Sequence, residues 1–332
     1  MLNHTSGIPS YTGFPDFLEK MRLKTTTDEL IARFKDKPLE FEPGKRCEYS
    51  NSGYVVLTKI IEVVSSQSYP EYLQENIFKP LGMNDSGYDR HELILSNRAS
   101  GYGFLEENYL NAEFIDMTLT SGAGVLYSTV EDLHKWDRAL YSEVILTESS
   151  KQAMFATTVE TDLGTEDKIY MGYGWVIDAH YQRKRVLHNG GINGFSTSIS
   201  RYLDDFFAII VLSNVERTPA QAIGNDLAAI LFGESYEIPK KREAIELNPS
   251  IYQAYVGKYQ LSPDLIIEIK TEEERILLQI NGQESIEIFP ESETKFFEKI
   301  LDFQITFIID ETGLASQLIF YQNGFEKVAD RI

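Results

Sequence analysis

Two short motifs carry side chains that can move a proton or bind an amide. They are a Tyr-Ser-Asn motif at residues 49–51 and a His-Asn-Gly-Gly motif at residues 188–191. Phenol and imidazole groups exchange protons, an amide side chain donates and accepts hydrogen bonds, and glycines admit another backbone. Each motif also has an ordinary structural explanation. Residues 49–51 would suit the first, capped turn of a helix, and residues 189–194 would suit a hairpin turn. Residue types alone leave both roles open.

Other reactive residue types have weaker support. Cys47 is the only cysteine, so neither an intrachain disulfide nor a thiolate metal cluster is predicted, and a small half-buried hydrophobe is the expected role. The string Ser292 to Lys295 has Ser-x-x-Lys spacing, but it lies between expected strands, where no helix would stack the serine on the lysine. No metal ion and no cofactor are predicted. Four histidines lack metal-ligand spacing and are expected to be structural or exposed: His4, His91, His134 and His180.

Length and charge limit the kinds of partner. A chain of 332 residues favours two domains, and 42% hydrophobic with 25% charged residues is typical of globular proteins. The formal net charge of −20 argues against nucleic-acid and anionic-membrane surfaces, which need clustered Lys and Arg. No run approaches the roughly 18 apolar residues of a transmembrane helix. The start of the chain has no secretory signal pattern, so the sequence as given predicts a cytoplasmic protein, while an exported or anchored parent stays open.

Hydrophobic periodicity predicts a mixed segment of helices and strands before about residue 239. Thr27 is the expected N-cap of the first helix, and a capping box is expected at residues 128–131. Residues 84–120 form an irregular excursion. Helices are expected at about 27–35, 52–65, 69–78, 129–140, 148–155 and 218–232. Antiparallel strands are expected at 172–178, 183–188, 194–201 and 206–213.

The pattern changes after a charged, proline-bounded linker at residues 240–249. Short runs with period-two alternation follow, separated by turn residues, which is typical of an all-β barrel or sandwich. The predicted organisation is therefore a mixed domain at 1–239, a linker at 240–249 and a β domain at 250–332. Strands of the β domain are expected at 253–260, 264–270, 275–280, 285–289, 303–309 and 316–321.

Several motifs occur in one order along the chain. They are Leu2 to Pro9, Pro43-Gly44 with Tyr49 to Asn51, Pro80 to Met83, His188 to Gly191, and Gly194-Phe195. This order resembles the serine β-lactamase and penicillin-binding-protein superfamily, in the class C β-lactamase-like branch that also holds D-stereospecific peptidases and esterases. The resemblance covers about residues 1–235. It implies an α/β (α+β) fold, an antiparallel sheet flanked by helices, here missing its N-terminal strands and nucleophile helix. Residues 250–332 resemble the small lipocalin-like barrel that some of these hydrolases carry.

The resemblance implies a role for each of five residues. Tyr49 would act as general base or proton shuttle, which needs neighbouring cations because an unperturbed tyrosine has a pKa near 10. Asn51 would orient the substrate amide or the lysine of the family's Ser-x-x-Lys turn. In the family, a third motif reads Lys-Thr-Gly. Here His188 stands in place of its lysine and would donate to Tyr49 or to a substrate carboxylate. Gly190 and Gly191 would admit a substrate backbone, with the Gly191 N–H as one oxyanion donor.

The nucleophile of the family, in a Ser-x-x-Lys turn upstream of the His-Thr-Ser-Gly stretch, has no counterpart in the sequence. Three explanations are open. The chain is a fragment of a longer enzyme, or a separate N-terminal polypeptide completes it, or it is a pseudoenzyme that binds without turnover. The prediction is a β-lactamase-, D-peptidase- or esterase-type hydrolase of a small molecule or peptide, inactive as this chain. Its pocket walls would come from residues 84–120 and 157–170. Without the upstream segment, the strand at 206–213 would present an unpaired edge or an uncovered apolar face.

Overall fold

The computed structural model describes most of the chain: residues 1–105, 108–161, 168–236, 242–262, 265–281, 285–298, 303–322 and 325–332. Contacts divide the chain into two units, Met1–Glu234 and Ser235–Ile332. Some predicted features fall partly outside the described residues: the start of the linker at Lys240, the segment at 157–170, and the start of the strand predicted at 264–270.

Helices of the first unit largely follow the predicted positions. Its α-helices are α1 Phe17–Lys20, α2 Thr27–Ala32, α3 Asn51–Ser65, α4 Tyr69–Leu73, α5 Lys79–Leu81, α6 Val130–Ala139, α7 Glu148–Met154 and α8 Ala220–Phe232. A π-helical stretch, Gln74–Phe78, joins α4 to α5, so the predicted helix at 69–78 is continuous but not α-helical throughout. Single 3-10 turns occur at Tyr11–Gly13, Met117–Leu119 and Ser121–Ala123.

Two predicted helix caps were wrong by one residue. Thr26, not Thr27, caps α2, because its hydroxyl accepts from the Glu29 N–H while the Glu29 carboxylate accepts from the Thr26 N–H. Thr129 caps α6 by accepting from the N–H of Asp132, so the box predicted at 128–131 is replaced by a cap one residue later. In both places adjacent Ser or Thr residues compete for the cap, and the sequence does not rank them.

The first unit is organised around a six-stranded antiparallel sheet, ordered β10-β9-β8-β7-β6-β5. β10 lies at one edge, as expected for the strand at 206–213. Its strands are β5 Val159–Thr161, β6 Ile169–Met171, β7 Val176–His180, β8 Arg183–Ile192, β9 Phe195–Tyr202 and β10 Phe207–Ser213. Four shorter strands precede the sheet and form two further pairs, β1 Gly87–Tyr88 with β4 Leu126–Tyr127, and β2 Tyr102–Leu105 with β3 Asn108–Asn111. The first three lie in the excursion at 84–120, and β4 follows it.

Alternating side chains of the sheet meet helices on opposite faces. On one face, Val186 and Ile177 form a buried cluster with Leu140, which follows α6, and with Trp175. On the other, Tyr202 and Ile209 pack against α8. The sheet is therefore a central layer, and its alternation fixes which residues face each helix.

The predicted apolar stripe of α3 identifies the helix but not its buried face. Its buried residues are mostly small (Ser52, Gly53, Val55 and Thr58), whereas Val63 and Val64 are 68% and 80% exposed. The buried side lies against the turn at Ser121–Ala123, and a Cβ added to Gly122 would meet the Thr58 Oγ1 at 1.8 Å. Close approach of two backbones selects small residues there, and this leaves the larger apolar side chains outside.

The second unit contains a closed antiparallel barrel, which confirms the predicted β domain and decides between barrel and sandwich. Two of its strands, β15 and β18, were not predicted, and the start predicted at 253 lies in a 3-10 helix, Pro249–Ala254. β11 closes the barrel by pairing with β18. The strands are β11 Gly257–Ser262, β12 Leu265–Glu272, β13 Arg275–Ile280, β14 Ile286–Pro290, β15 Lys295–Phe297, β16 Phe303–Ile309, β17 Ala315–Gln322 and β18 Phe325–Arg331.

Large side chains fill the barrel interior. The ring of Tyr255 stacks on Phe307 with centroids 4.4 Å apart, and Phe296 meets both edge-on. Ile267, Leu278 and other aliphatic residues complete this buried cluster. Offset and edge-to-face aromatic pairs add to the stability gained from burial. The barrel is thus a packed core.

Replacing Leu278 with Ala is expected to destabilise the barrel by about 2–5 kcal/mol, because the side chain is fully buried and a cavity would remain. Hydrogen exchange read by mass spectrometry would show faster exchange in barrel peptides of the full chain. Leu314→Ala is the matched control, since Leu314 is 44% exposed and its loss should cost about 0.5 kcal/mol or less. Equal effects of the two substitutions would contradict the packed interior.

Candidate active site

The end of strand β8 has a free edge. In the described part of the chain, pairing of β8 with β7 ends at Leu187 opposite Val176, while pairing with β9 continues to Ile192 opposite Phe195. Residues 188–192 are therefore bonded on one side only. Alternate residues of an antiparallel strand direct N–H and C=O groups to the open side, so this segment can bind an extended amide chain.

Tyr49 lies beside that free edge. Its ring centroid is 6.4 Å from the ring of His188, with the planes tilted by 44°. Tyr49 is 54% exposed, and His188 is half-buried with Nδ1 2.7 Å from the carbonyl oxygen of Asn189. The two motifs, 139 residues apart by position (188 − 49), thus meet at one place in the fold.

His4 belongs to the same cluster. Its ring stacks on Tyr49 at 4.2 Å and on Tyr54 at 5.2 Å, and its Nδ1 accepts a hydrogen bond from the Ser50 N–H at 3.0 Å. His4 is 2% exposed, with a positive φ of 57°. The sequence predicts only a structural or exposed position for His4. The signal that could have placed His4 at the site is its position inside the Leu2 to Pro9 motif.

Burial leaves the three proton-carrying groups uncharged near neutral pH. It raises the pKa of Tyr49 above the ordinary value of 10. It lowers the pKa of His188, and it lowers that of His4 to about 4, where the neighbouring His188 and N-terminus add to the effect. Among the residues that the structure describes, no cation offsets the pKa of Tyr49. With its pKa raised, Tyr49 keeps its proton near neutral pH, and a protonated phenol cannot serve as the general base.

Ser50 and Asn51 are held by local hydrogen bonds. The Ser50 hydroxyl donates to the Ile8 carbonyl and accepts from the Gly53 N–H, so it caps α3 and is buried. The Asn51 side chain donates from Nδ2 to the Thr12 hydroxyl at 3.1 Å. The capping role was one of the two alternatives for this motif, and Ser50 performs it while Tyr49 remains at the free edge.

Gly190 and Gly191, near the end of β8, differ in whether packing within the protein requires a glycine. A Cβ on Gly190 would meet the Thr197 Oγ1 at 2.3 Å, whereas a Cβ on Gly191 would meet nothing within 4 Å. Packing within the hairpin therefore requires Gly190. Nothing in the described chain requires Gly191, so the space beside it is open to a ligand.

The excursion forms one wall of this region. Gly194 has φ +84°, and a Cβ there would come within 2.6 Å of the Ala112 side chain and the Gly101 backbone. Asn193 donates from Nδ2 to the Glu113 carbonyl at 3.0 Å. The turn between β8 and β9 thus packs closely on residues 101–113. Residues 162–167 of the second predicted wall lie outside the described part.

Two other candidate nucleophiles have structural explanations. The Ser292 hydroxyl accepts from the backbone N–H of Thr294 and Lys295, so its Ser-x-x-Lys string is a turn between β14 and β15, as the sequence analysis expected. Burial raises the pKa of the Cys47 thiol, which disfavours a reactive thiolate. Among the described residues, no group of three or more His, Cys, Asp or Glu could hold a metal ion, and no helix has the length and apolar character needed to cross a bilayer.

Gly194→Ala is expected to destabilise the first unit by about 2–4 kcal/mol, since alanine is strained at positive φ and its methyl group would collide with residues 101 and 112. Both tryptophans lie in this unit, so their fluorescence during urea unfolding measures the effect. Gly191→Ala is the control, and a change of about 0.5 kcal/mol or less is expected there. Similar losses for both would contradict the close packing.

The buried His4 predicts a dependence of stability on pH. Its pKa is about 4 in the folded state against 6.5 when unperturbed, so the unfolded chain binds the proton first. The stabilisation is fully present above 6.5 and is lost as the pH falls through about 4, by about 3 kcal/mol. His4→Asn keeps an acceptor for the Ser50 N–H and tolerates positive φ, and it should weaken this pH dependence.

Urea unfolding followed by tryptophan fluorescence across this pH range measures the effect. His134→Asn is the control, because His134 is exposed. An unchanged pH dependence in His4→Asn would show that protonation of His4 is not coupled to unfolding.

Comparison with known proteins identifies the family of the chain. The family model described as Beta-lactamase matches residues 1–233, and the model described as Domain of unknown function (DUF3471) matches residues 241–330. The Bacillus subtilis protein named Penicillin-binding protein 4* is 33% identical over 353 aligned positions, covering all of this chain and 77% of its own length.

Solved structures show the same similarity. The octameric penicillin-binding protein homologue from Pyrococcus abyssi superposes with a TM-score of 0.66 and 26% identity, covering 98% of this chain and 76% of that one. A D-stereospecific amidohydrolase from Streptomyces sp. gives a TM-score of 0.58 and 25% identity, covering 65% and 66%. The predicted superfamily and fold class are confirmed. This chain belongs to the beta-lactamase family of penicillin-binding-protein-like serine hydrolases, and a barrel matching the DUF3471 model follows its family domain.

Proposed function

We propose that this chain supplies the proton-transfer and substrate-binding side of a serine acyl-transfer site, and that residues 1–332 alone form no acyl-enzyme. The reaction of the completed site would be hydrolysis of an amide or ester. The observation that carries the proposal is the meeting of Tyr49 and His188, with ring centroids 6.4 Å apart, beside the free edge of β8.

Each residue has a role in the completed site. Tyr49 takes the proton from the attacking hydroxyl and delivers it to the leaving group. His188 hydrogen-bonds to Tyr49 or to a substrate carboxylate. An extended substrate lies along residues 188–192, and the Gly191 N–H serves as one oxyanion donor. Asn51 turns from Thr12 towards the substrate amide once the site is completed. His4 supports the Tyr49 ring by stacking.

The electrostatics support the inactivity of the chain alone. Tyr49 has a raised pKa with no described cation to offset it, and both neighbouring histidines are neutral. The lysine of a Ser-x-x-Lys turn would bring the missing positive charge together with the attacking hydroxyl. Ser50 cannot replace that hydroxyl, because it is buried and bonded as a helix cap.

Completion would therefore require a Ser-x-x-Lys turn from outside these residues. Strand β10 pairs only with β9 in the described chain, and α8 packs on these strands while exposing the apolar side chains of Ile223, Leu227, Ile230 and Leu231. An unpaired edge beside an exposed apolar stripe suits a segment that adds a strand and covers the helix. This supports a completing segment that pairs with β10.

The names of similar proteins support a substrate class for the completed site. The relatives and neighbours are named as penicillin-binding proteins and as a D-stereospecific amidohydrolase, so an amide next to a D-configured centre, or a β-lactam, is the proposed substrate type.

The test is covalent labelling of the purified chain with a fluorescent penicillin and with a fluorophosphonate, read by intact mass. No adduct is expected, because the described part of the chain holds no serine beside an activating base and cation. A complete penicillin-binding protein of the family serves as positive control for the probes. Stoichiometric labelling of any serine would contradict the proposal, and the variants Ser50→Ala and Ser292→Ala would identify the residue concerned.

A second candidate function is non-catalytic binding, which the uncharged state of the site favours. A binding protein would show saturable affinity for a penicillin or a D-amino acid amide without turnover, and Tyr49→Phe would leave that affinity nearly unchanged. In a completed enzyme the same substitution should lower turnover by about 10²- to 10⁴-fold. Calorimetric titration and a turnover assay separate these outcomes.

A further inference from the structure

A cavity of about 400 Å³ opens on the sheet face that α6 and α7 cover. Its walls combine the cations Arg201, Lys151 and Lys184 with the phenol of Tyr141 and apolar side chains such as Phe155. The residues of the candidate active site do not line it. Its volume lies within the roughly 300–1,000 Å³ of small-molecule sites.

Arg201 is the buried centre of this cavity. Its side chain is fully buried, and two of its nitrogens bond to Asp137: Nε to the carboxylate at 2.5 Å and Nη2 to the backbone carbonyl at 3.2 Å. The remaining nitrogen, Nη1, has no hydrogen-bond partner among the described residues. A buried charged donor without an acceptor is costly, and it marks a place where an acceptor would be stabilised.

A second orphaned group lies beside it. The Tyr141 hydroxyl is buried and likewise has no hydrogen-bond partner in the described chain. The Arg201 guanidinium lies 4.8 Å from the centre of the Tyr141 ring, close enough to oppose the rise in the pKa of the phenol that burial causes. Their contact is a cation–π stack, and the guanidinium can only donate towards the phenol oxygen, so the proton of the Tyr141 hydroxyl stays available to a third group.

The lysines extend the donor surface. Lys151 is 7% exposed, and its ammonium pairs with Glu148 at 2.8 Å, which leaves other N–H donors of that ammonium uncommitted. Lys184 is exposed at the rim and donates to the Phe155 carbonyl at 3.2 Å. Since Asp137 and Glu148 balance Arg201 and Lys151, Lys184 leaves a local positive excess in a chain whose net charge is −20.

We propose that this cavity binds a small organic anion, with a carboxylate on an apolar body. The oxygens of the carboxylate accept hydrogen bonds from Arg201 Nη1, the Tyr141 hydroxyl and Lys151, groups that have donors to spare. The apolar body lies against Phe155 and Leu203, which line the same cavity. The site is separate from the proposed acyl-transfer site and holds whether or not that site is completed.

The test uses tryptophan fluorescence of the full chain, because Trp175 contacts two residues that line the cavity. The centre of its ring lies 6.0 Å from the ring centre of Phe155 and 5.9 Å from the guanidinium carbon of Arg201. Titration with benzoate is expected to give a saturable change. Benzamide, its neutral isostere, should bind at least about 10-fold more weakly, because charge-assisted hydrogen bonds are lost. Equal binding of benzamide, or no saturable signal with benzoate, would overturn the proposal.

Two variants locate the binding. Tyr141→Phe removes only the orphaned hydroxyl and should raise the Kd for benzoate about 10-fold, and Lys184→Gln should raise it several-fold and reduce its salt dependence. Tyr109→Phe and Lys79→Gln are matched controls on exposed side chains outside the cavity. Tyr49→Phe should leave the Kd unchanged. A loss of binding in Tyr49→Phe, with no effect in Tyr141→Phe, would place the anion at the other site and overturn this inference.

Discussion

The register of strand β8 is the constraint on which the candidate site depends. Because β7 pairs with β8 only as far as Leu187, the last five residues of β8 are held by β9 alone and keep a free edge. Close packing of Gly194 on Gly101 holds the far end of the hairpin against the excursion. The N-terminal stretch approaches the same edge, with His4 stacked on Tyr49. A shift of one residue in this register would turn His188 to the other face of the sheet.

Burial decides the protonation of the site more than any charge does. His4 is stacked on the rings of Tyr49 and Tyr54. Partial burial raises the pKa of Tyr49, although about half of its surface is exposed. In a neutral cluster of this kind, a single added cation would act at short range and low dielectric and would lower the pKa of Tyr49. Under the proposed function, the lysine of a completing segment would supply that cation.

Two buried arginines of the same sheet differ in how completely their hydrogen-bond donors are satisfied. Arg201 is fully buried with one carboxylate and three aromatic rings around it, and one of its nitrogens is still unsatisfied. Arg185 on β8 faces α8 and is satisfied by Asp178 and Asn225. Both are buried, and Arg201 lines the cavity of about 400 Å³, whereas Arg185 does not line it. This difference separates an arginine that only stabilises packing from one that can also take a ligand.

The sequence by itself determined the superfamily, most helix and strand positions, and the β domain, because periodicity and ordered motifs are local properties of the chain. It also indicated that residues 49–51 and 188–191 belong to one site. Tertiary structure alone decided which face of α3 is buried, since small residues were needed where α3 approaches the turn at Gly122. It likewise decided the place of His4 at the site, and the charged strand β18 that closes the barrel. The cavity around Arg201 joins residues from the segment after α6, from α7 and from strands β8 and β9, and no spacing along the chain could reveal that meeting.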